Sequence, residues 1–136
     1  MEHYLADTNV IIDMLLDRED ADAACAVVDG AERGEYKLSL CALSYTNIYY
    51  SMRKFLSHQE RIDSIIQLNK VITALPVDGS VIDAALHSGW KDFEDAVQYF
   101  TALATTGITG IITRNAKDFR DSQLPVIDPK TFLNSR

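Results

Sequence analysis

The sequence has few cysteines, no long apolar run and fewer basic than acidic side chains. Its two cysteines, Cys25 and Cys41, form no C-x-x-C motif and lack metal-ligand spacing, so we interpret both as small core residues. No apolar stretch approaches the roughly 20 residues that span a bilayer, and no membrane association is expected. The first residues do not form a signal peptide, which predicts a cytoplasmic location.

The deficit of basic residues narrows the possible functions. The chain has 13 Lys and Arg against 20 Asp and Glu, a formal net charge of −7. This charge argues against a protein that coats nucleic acid non-specifically, but it allows an enzyme that contacts nucleic acid through a local basic patch. The three histidines, His3, His58 and His87, share no ligand spacing, so we expect them at the surface or at its boundary rather than on zinc.

Long linkers, repeats and low-complexity tracts are also missing, so residues 1–136 are predicted to form a single domain. Short apolar runs typical of strands alternate with segments of helical periodicity, including helices expected over 42–56 and 92–107. The strand-like runs are YLAD at 4–7, YKLSL at 36–40, VITALPV at 71–77, GIIT at 110–113 and LPVID at 124–128. This alternation predicts an α/β fold with a parallel sheet between helices.

Three carboxylates are placed where a ligand would bind in such a sheet, at the carboxyl ends of the strands. Asp7 ends the first strand, Asp118 follows the fourth, and Asp95 lies at the start of the helix before the fourth. If these strands are neighbours, a divalent cation would relieve the repulsion between the carboxylates. Oxygen ligands without His or Cys favour Mg²⁺ or Mn²⁺. The structural alternative is that Asp92 caps the helix and Asp95 stabilises its dipole.

Four segments, in this order, resemble the PIN-domain family, the metal-dependent ribonuclease domain of VapC-type toxins. They are LADTNVIIDMLL, LSLCALSYTNIYYSMRK, DFEDAVQYFTALATTG and IITRNAKDF. The resemblance implies a three-layer α/β/α sandwich with a twisted, mainly parallel sheet of about five strands. It also implies an acidic pocket that holds Mg²⁺ or Mn²⁺, hydrolysis of RNA phosphodiester bonds, a small antitoxin protein as partner, and a homodimer.

The resemblance assigns roles to individual residues. Asp7, Asp95 and Asp118 match three of the family's acidic positions and are the predicted metal ligands and catalytic residues. Asn47 stands where the family usually has Glu, and Asn115 where it has Asp or Asn, so we expect weakened metal affinity. Hydrogen bonding to the ligands or the phosphate is predicted for a further set: Asn47, Thr113, Asn115, Asp92, Thr8 and Ser44.

An RNA substrate also needs positive charge near this pocket. Arg114, Lys117 and Arg120 are spaced by three, so a helical turn would put them on one side, although scattered solubilising charge is an alternative. Aromatic side chains could stack on bases, but we interpret them as core residues. They are Tyr49, Tyr50, Tyr99 and Phe100.

Two other functions stay open. A strand-end Asp phosphotransferase would use Asp7 as its nucleophile, but the sequence has D-T-N where such enzymes have D-x-D. A PIN-like binding module that has lost catalysis is suggested by Asn47. A phosphate-binding P-loop is excluded because no G-x-x-x-x-G-K is present.

Overall fold

Five short apolar segments pair into one parallel sheet. The computed structural model describes all of residues 1–136. The strands are β1 (His3–Ala6), β2 (Lys37–Cys41), β3 (Thr73–Leu75), β4 (Gly110–Ile112) and β5 (Val126–Ile127). They pair only in parallel, in the order β3-β2-β1-β4-β5. The predicted α/β fold is confirmed.

Seven α-helices connect and follow the strands. They are α1 (Thr8–Leu15), α2 (Ala21–Glu32), α3 (Ala42–Ser51), α4 (His58–Val71), α5 (Gly79–Leu86), α6 (Phe93–Leu103) and α7 (Pro129–Asn134). A short 3-10 helix, Ala116–Phe119, follows β4. None of these helices combines the length and the apolar character needed to cross a membrane.

The helices form a layer on each face of the sheet because successive strand residues point to opposite faces. In β1, Tyr4 and Ala6 belong to one core cluster, whereas Leu5 belongs to the other. The first cluster also contains Ile11, Val27, Ile48, Leu68 and Phe132, from α1, α2, α3, α4 and α7. The second contains Val81, Ala85, Ala96, Val97 and Tyr99, from α5 and α6. The result is the predicted three-layer sandwich.

Several elements are shorter than their sequence patterns predict. Helix α3 ends at Ser51 rather than at residue 56, and residues 52–55 form turns. Ser57 and Glu60 form a capping box that fixes the start of α4, and Ser57 is extended, so the chain leaves the helical conformation before it. Helix α6 likewise ends at Leu103 rather than at residue 107.

Candidate active site

The order of the strands creates a cleft at the carboxyl end of the sheet. From β1 the chain continues to β2 and β3 on one side of β1, and then crosses to β4 and β5 on the other side. The strand order therefore reverses between the neighbours β1 and β4. A ligand binds at such a point in open parallel sheets. An open cavity of about 400 Å³, here called the acidic cleft, lies there. It is lined by Asp7, Thr8, Asn9, Ile12, Asn47, Tyr50, Ser51, Asp92, Glu94, Asp95 and Asp118.

Asp7 is buried at the base of the acidic cleft and its carboxylate is fixed by hydrogen bonds. Oδ1 accepts from Nε2 of Gln98 at 3.1 Å and, as the cap of α1, from the backbone N–H of Asn9 at 3.4 Å. Oδ2 accepts from Oγ1 of Thr113 at 2.7 Å. Thr113 follows β4 directly, so this bond joins the two strands that flank the reversal point.

Gln98 is a site residue that the sequence analysis missed. It is buried on α6, and its Oε1 accepts from the backbone N–H of Thr8 at 3.0 Å and from Oγ1 of Thr8 at 3.1 Å. Oγ1 of Thr8 also lies 2.6 Å from Oγ of Ser44. Thr8 and Ser44 therefore support Asp7 through Gln98. An available signal was the position of Gln98, one helical turn after Asp95 and among apolar neighbours.

The start of α6 brings three further carboxylates to the acidic cleft. Asp92 is the N-cap, and its Oδ1 accepts from the backbone N–H of Asp95 at 2.9 Å. The alternative interpretation of Asp92, that it caps the helix, is therefore correct, although its side chain also lines the acidic cleft. Asp95, in the first turn, is half-buried, and Glu94 beside it is exposed.

Crowding of these groups makes ionisation unfavourable. Burial, followed by the charges of Asp92, Asp7, Asp118 and Glu94, raises the pKa of Asp95 from 3.8 to about 7. The pKa of Glu94 is also raised, first because the cleft partly shields its carboxyl group from water and then by Asp92 and Asp7, while a hydrogen bond from Asn47 opposes the shift. Neither Asp95 nor Glu94 forms an ion pair with a basic side chain.

The remaining predicted residues are spread around this cluster. Asp118 lies on the 3-10 helix, is exposed and lines the acidic cleft. Asn47, on α3, lines the same cleft beside Glu94. Asn115 is not among the residues that line the cleft, and its backbone N–H donates to Oγ1 of Thr113 at 3.1 Å. Thr113 is fully buried and contacts Asp7 rather than the cavity.

The donor atoms of the acidic cleft suit a hard divalent cation. Its carboxylate and amide oxygens include no His or Cys, which is the ligand chemistry of Mg²⁺ and Mn²⁺. None of its carboxylates forms an ion pair with a Lys, Arg or His side chain. No three His, Cys, Asp or Glu side chains are already arranged to hold one metal ion. The ligand set would therefore have to draw together on binding.

The three basic side chains that were predicted to bind substrate do not lie together on one side of a helical turn. The helical turn that was to align them begins only at Ala116, and Nε of Arg114 is 2.6 Å from Oδ2 of buried Asp13. The prediction that Arg114 lies with the other two is wrong, because Asp13 engages it. Lys117 and Arg120 line a second depression that shares Asp92, Asp95 and Asp118 with the acidic cleft; Trp90, Lys91 and Asp121 complete its lining.

Two other predictions from side-chain type need correction. Tyr50 is 61% exposed and lines the acidic cleft, whereas Tyr99 is buried as expected. His3, expected near the surface, is buried, with Nε2 2.6 Å from Oγ of Ser39. Cys41 is buried and Cys25 is partly buried, and neither forms a disulfide.

Comparison with known proteins gives the context of this site. A sequence-family model described as the PIN domain matches residues 3–117. Similar solved structures include VapBC2 from Rickettsia felis bound to a DNA fragment from the promoter (TM-score 0.68, 11% identity, covering 93% of this chain and 98% of that one). A toxin–antitoxin complex from Klebsiella pneumoniae gives a TM-score of 0.66 at 20% identity, covering 93% and 97%.

VapBC-1 from nontypeable Haemophilus influenzae is similar to the same extent, with a TM-score of 0.67 at 19% identity, covering 94% and 98%. At these identities the likeness is one of fold. Among curated proteins, no sequence matches the chain with significant similarity.

Proposed function

Since this chain belongs to the PIN-domain family, we propose that it is a metal-dependent ribonuclease and the toxin of a toxin–antitoxin pair. The observation that carries this proposal is the crowding of carboxylates in the acidic cleft, none of which is in an ion pair. Burial and the charges of four other carboxylates raise the pKa of Asp95 to about 7, and none of the five is in an ion pair. Because such a cluster is unfavourable for the folded protein by itself, it supports a role in binding a cation.

The ligands we propose are Asp7, Asp95 and Asp118, with Mg²⁺ or Mn²⁺ as the cation. The chemistry that such a cation supplies is activation of water and neutralisation of charge on the attacked phosphate. Thr113 and Gln98 hold the Asp7 carboxylate in one orientation through hydrogen bonds to its two oxygens. Asp118, exposed on its short helix, is our candidate for orienting the attacking water.

The substrate we propose is RNA, bound by Lys117 and Arg120. Both side chains line the depression that adjoins the acidic cleft, so phosphates next to the scissile bond can reach them. This location provides local positive charge on a protein of net charge −7. Arg114 has no part in this proposal because its guanidinium pairs with Asp13.

One alternative function is favoured by a specific observation. Asn47 lies in the acidic cleft without a charge, at the position where the family resemblance leads us to expect Glu. This supports a PIN-like module that binds RNA without cleaving it. A phosphotransferase is disfavoured, because the sequence has D-T-N at residues 7–9 where such enzymes have D-x-D.

Partners and location follow from the same proposal. The similar structures from Klebsiella pneumoniae and Haemophilus influenzae are a toxin–antitoxin complex and VapBC-1, which supports a small antitoxin protein as the partner of this chain. A homodimer and a cytoplasmic location stay predictions.

The proposal is tested by cleavage of single-stranded RNA by the purified protein in Mn²⁺. We expect cleavage that stops on chelation and is abolished in Asp95→Asn. Asp83→Asn, which neutralises an exposed carboxylate on α5, should cleave like the wild type. Cleavage that survives chelation or Asp95→Asn would refute the assignment. RNA binding without any cleavage would establish the binding module.

A further inference from the structure

Tyr50 is an exposed aromatic residue on the wall of a cleft that is otherwise almost entirely polar. It is 61% exposed, and only Ile12 is a second hydrophobic residue among the lining side chains. Asn47 and Ser51, from the same helix, flank it there. A tyrosine ring gains free energy when its faces are removed from water, and most of the Tyr50 ring is not. We therefore expect a partner that covers it.

The Tyr50 ring is held in place by Arg53. The guanidinium carbon of Arg53 lies 3.7 Å from the ring centroid. Nη1 of Arg53 also donates to the backbone carbonyl of Tyr50 at 3.0 Å, which fixes the guanidinium over the ring. A ring that is covered on one side and restrained by a cation loses little freedom when a flat group binds to its other side.

The adjacent tyrosine shows what the same pairing looks like in a structural role. The guanidinium of Arg61 lies 4.1 Å from the ring centroid of Tyr49. The Tyr49 hydroxyl, however, is 2.7 Å from Nδ1 of His58, so this ring joins α3 to the start of α4. Tyr50 has no such connection and faces the acidic cleft instead.

We propose that Tyr50, backed by Arg53, is a stacking subsite for one nucleobase of a single-stranded RNA. The strand would run from Tyr50 across the carboxylates to Lys117 and Arg120, which lie in the depression that adjoins the acidic cleft. This subsite deepens the proposed function and rests on it. Duplex RNA is disfavoured, because its bases already stack on one another and cannot cover the ring.

The chemistry of stacking explains why an aromatic ring suits this wall. A base presents a flat, weakly polar surface, which the carboxylates of the acidic cleft do not repel, whereas they do repel phosphates. Stacking on an aromatic side chain tolerates any base, so the subsite would position the strand rather than select a sequence.

The test measures binding separately from cleavage. A fluorescein-labelled single-stranded RNA is titrated, by anisotropy, with protein in an Asp95→Asn background, and then with copies that carry one abasic nucleotide each. We expect Tyr50→Ala to weaken binding of the intact RNA about tenfold, the usual effect of losing one stacked base. One abasic position should cause a similar loss, and the two losses should not add, because both remove the same contact.

Control variants separate stacking from other effects. Tyr50→Phe keeps the ring and should bind within about twofold of the parent, as stacking does not need the hydroxyl. Phe55→Ala removes an aromatic residue that is 68% exposed and lies outside the acidic cleft, and should have no effect. Unchanged affinity in Tyr50→Ala, additive losses at every abasic position, or no RNA binding at all would overturn the subsite.

The two proposals fail in different ways. If the protein with an intact Asp95 cleaves RNA but Tyr50→Ala binds it normally, the nuclease stands and the subsite falls. If Tyr50 governs binding but no metal-dependent cleavage occurs, the subsite stands and the nuclease falls.

Discussion

Two carboxylates near the carboxyl end of the sheet, Asp13 on α1 and Asp95 on α6, have opposite electrostatic surroundings. Asp13 is buried, and two arginines face it: Nε of Arg114 at 2.6 Å and Nη1 of Arg18 at 3.8 Å. Asp95 is surrounded by other carboxylates, and its pKa rises to about 7. Burial raises the pKa of Asp13 as well, but there the arginines oppose the shift.

The difference separates charge used for stability from charge used for function. The pair of Asp13 and Arg114 joins α1 to the segment after β4, which carries Asn115 and Asp118. A buried pair of this kind is costly to break on one side, because the remaining charge is left without a partner. The carboxylates around Asp95 form no ion pair with a basic side chain, so their mutual repulsion lowers stability and a bound cation would relieve it.

We expect the largest change in stability when Asp13, the carboxylate paired with arginines, loses its partner. Arg114→Ala should lower the free energy of unfolding by about 3 kcal/mol, because Asp13 keeps only the more distant Arg18. Arg33→Ala is the matched control, since it breaks an exposed pair with Glu35 and should destabilise the protein far less. Urea denaturation of both variants measures this difference, and equal losses would show that Asp13 needs no partner.

At Asp95, the carboxylate that lies among other carboxylates, removing the negative charge should stabilise the protein. Without metal at pH 8, Asp95→Asn should raise the free energy of unfolding by about 2 kcal/mol, allowing for solvent screening of a half-buried group. Because the pKa of Asp95 is about 7 in the folded protein against 3.8 ordinarily, the folded state binds the proton more tightly. Wild-type stability should therefore fall as the pH rises from about 4 to about 7.

Denaturation at a series of pH values in chelator tests this prediction. The decline over that window should be smaller in Asp95→Asn and unchanged in Asp83→Asn, whose carboxylate is exposed and far less crowded. A decline of the same size in all three proteins would mean that Asp95 is not the group responsible.

A smaller effect is expected from adding charge to the cluster. Asn47→Glu puts a carboxylate beside Glu94, so it should lower metal-free stability by about 1 kcal/mol and tighten Mn²⁺ binding roughly tenfold. Asn47→Gln, with a side chain of the same length and no charge, should do neither. Thermal denaturation and Mn²⁺ titration of the two variants decide the matter; matching behaviour would place the residue 47 side chain outside the cation's reach.

The comparison also separates what the sequence makes predictable from what it does not. Asp7 could be found because a carboxylate at the end of a buried strand contributes nothing to apolar packing, and the alternation of elements locates that strand end. The partner of Arg114 could not be found, because Asp13 is about a hundred residues earlier and only the folded chain brings the two side chains together. The spacing of the basic residues predicted a helical turn from Arg114, whereas the turn begins two residues later, at Ala116.

For Tyr50 and Gln98, the sequence pattern contains part of the information. Ser44 and Ile48 are the buried positions of α3, and its C-cap Met52 is buried as well; Tyr50 lies two residues after Ile48, about 200° around the helix. Periodicity therefore favours exposure of Tyr50, whereas its residue type favours burial, and periodicity decided the outcome. Gln98 is an amide inside a buried helix face, which requires hydrogen-bond partners that only the fold supplies.

Calorimetric titration of Mn²⁺ into the protein near pH 7, in two buffers of different ionisation enthalpy, tests most directly whether the acidic cleft is a cation site. A bound cation should displace the proton that Asp95 still partly holds at this pH, so the observed heat should differ between the buffers. In Asp95→Asn, Mn²⁺ affinity should fall and the difference should disappear. Absence of Mn²⁺ binding to the wild type, or equal affinity and proton release in the variant, would contradict the account.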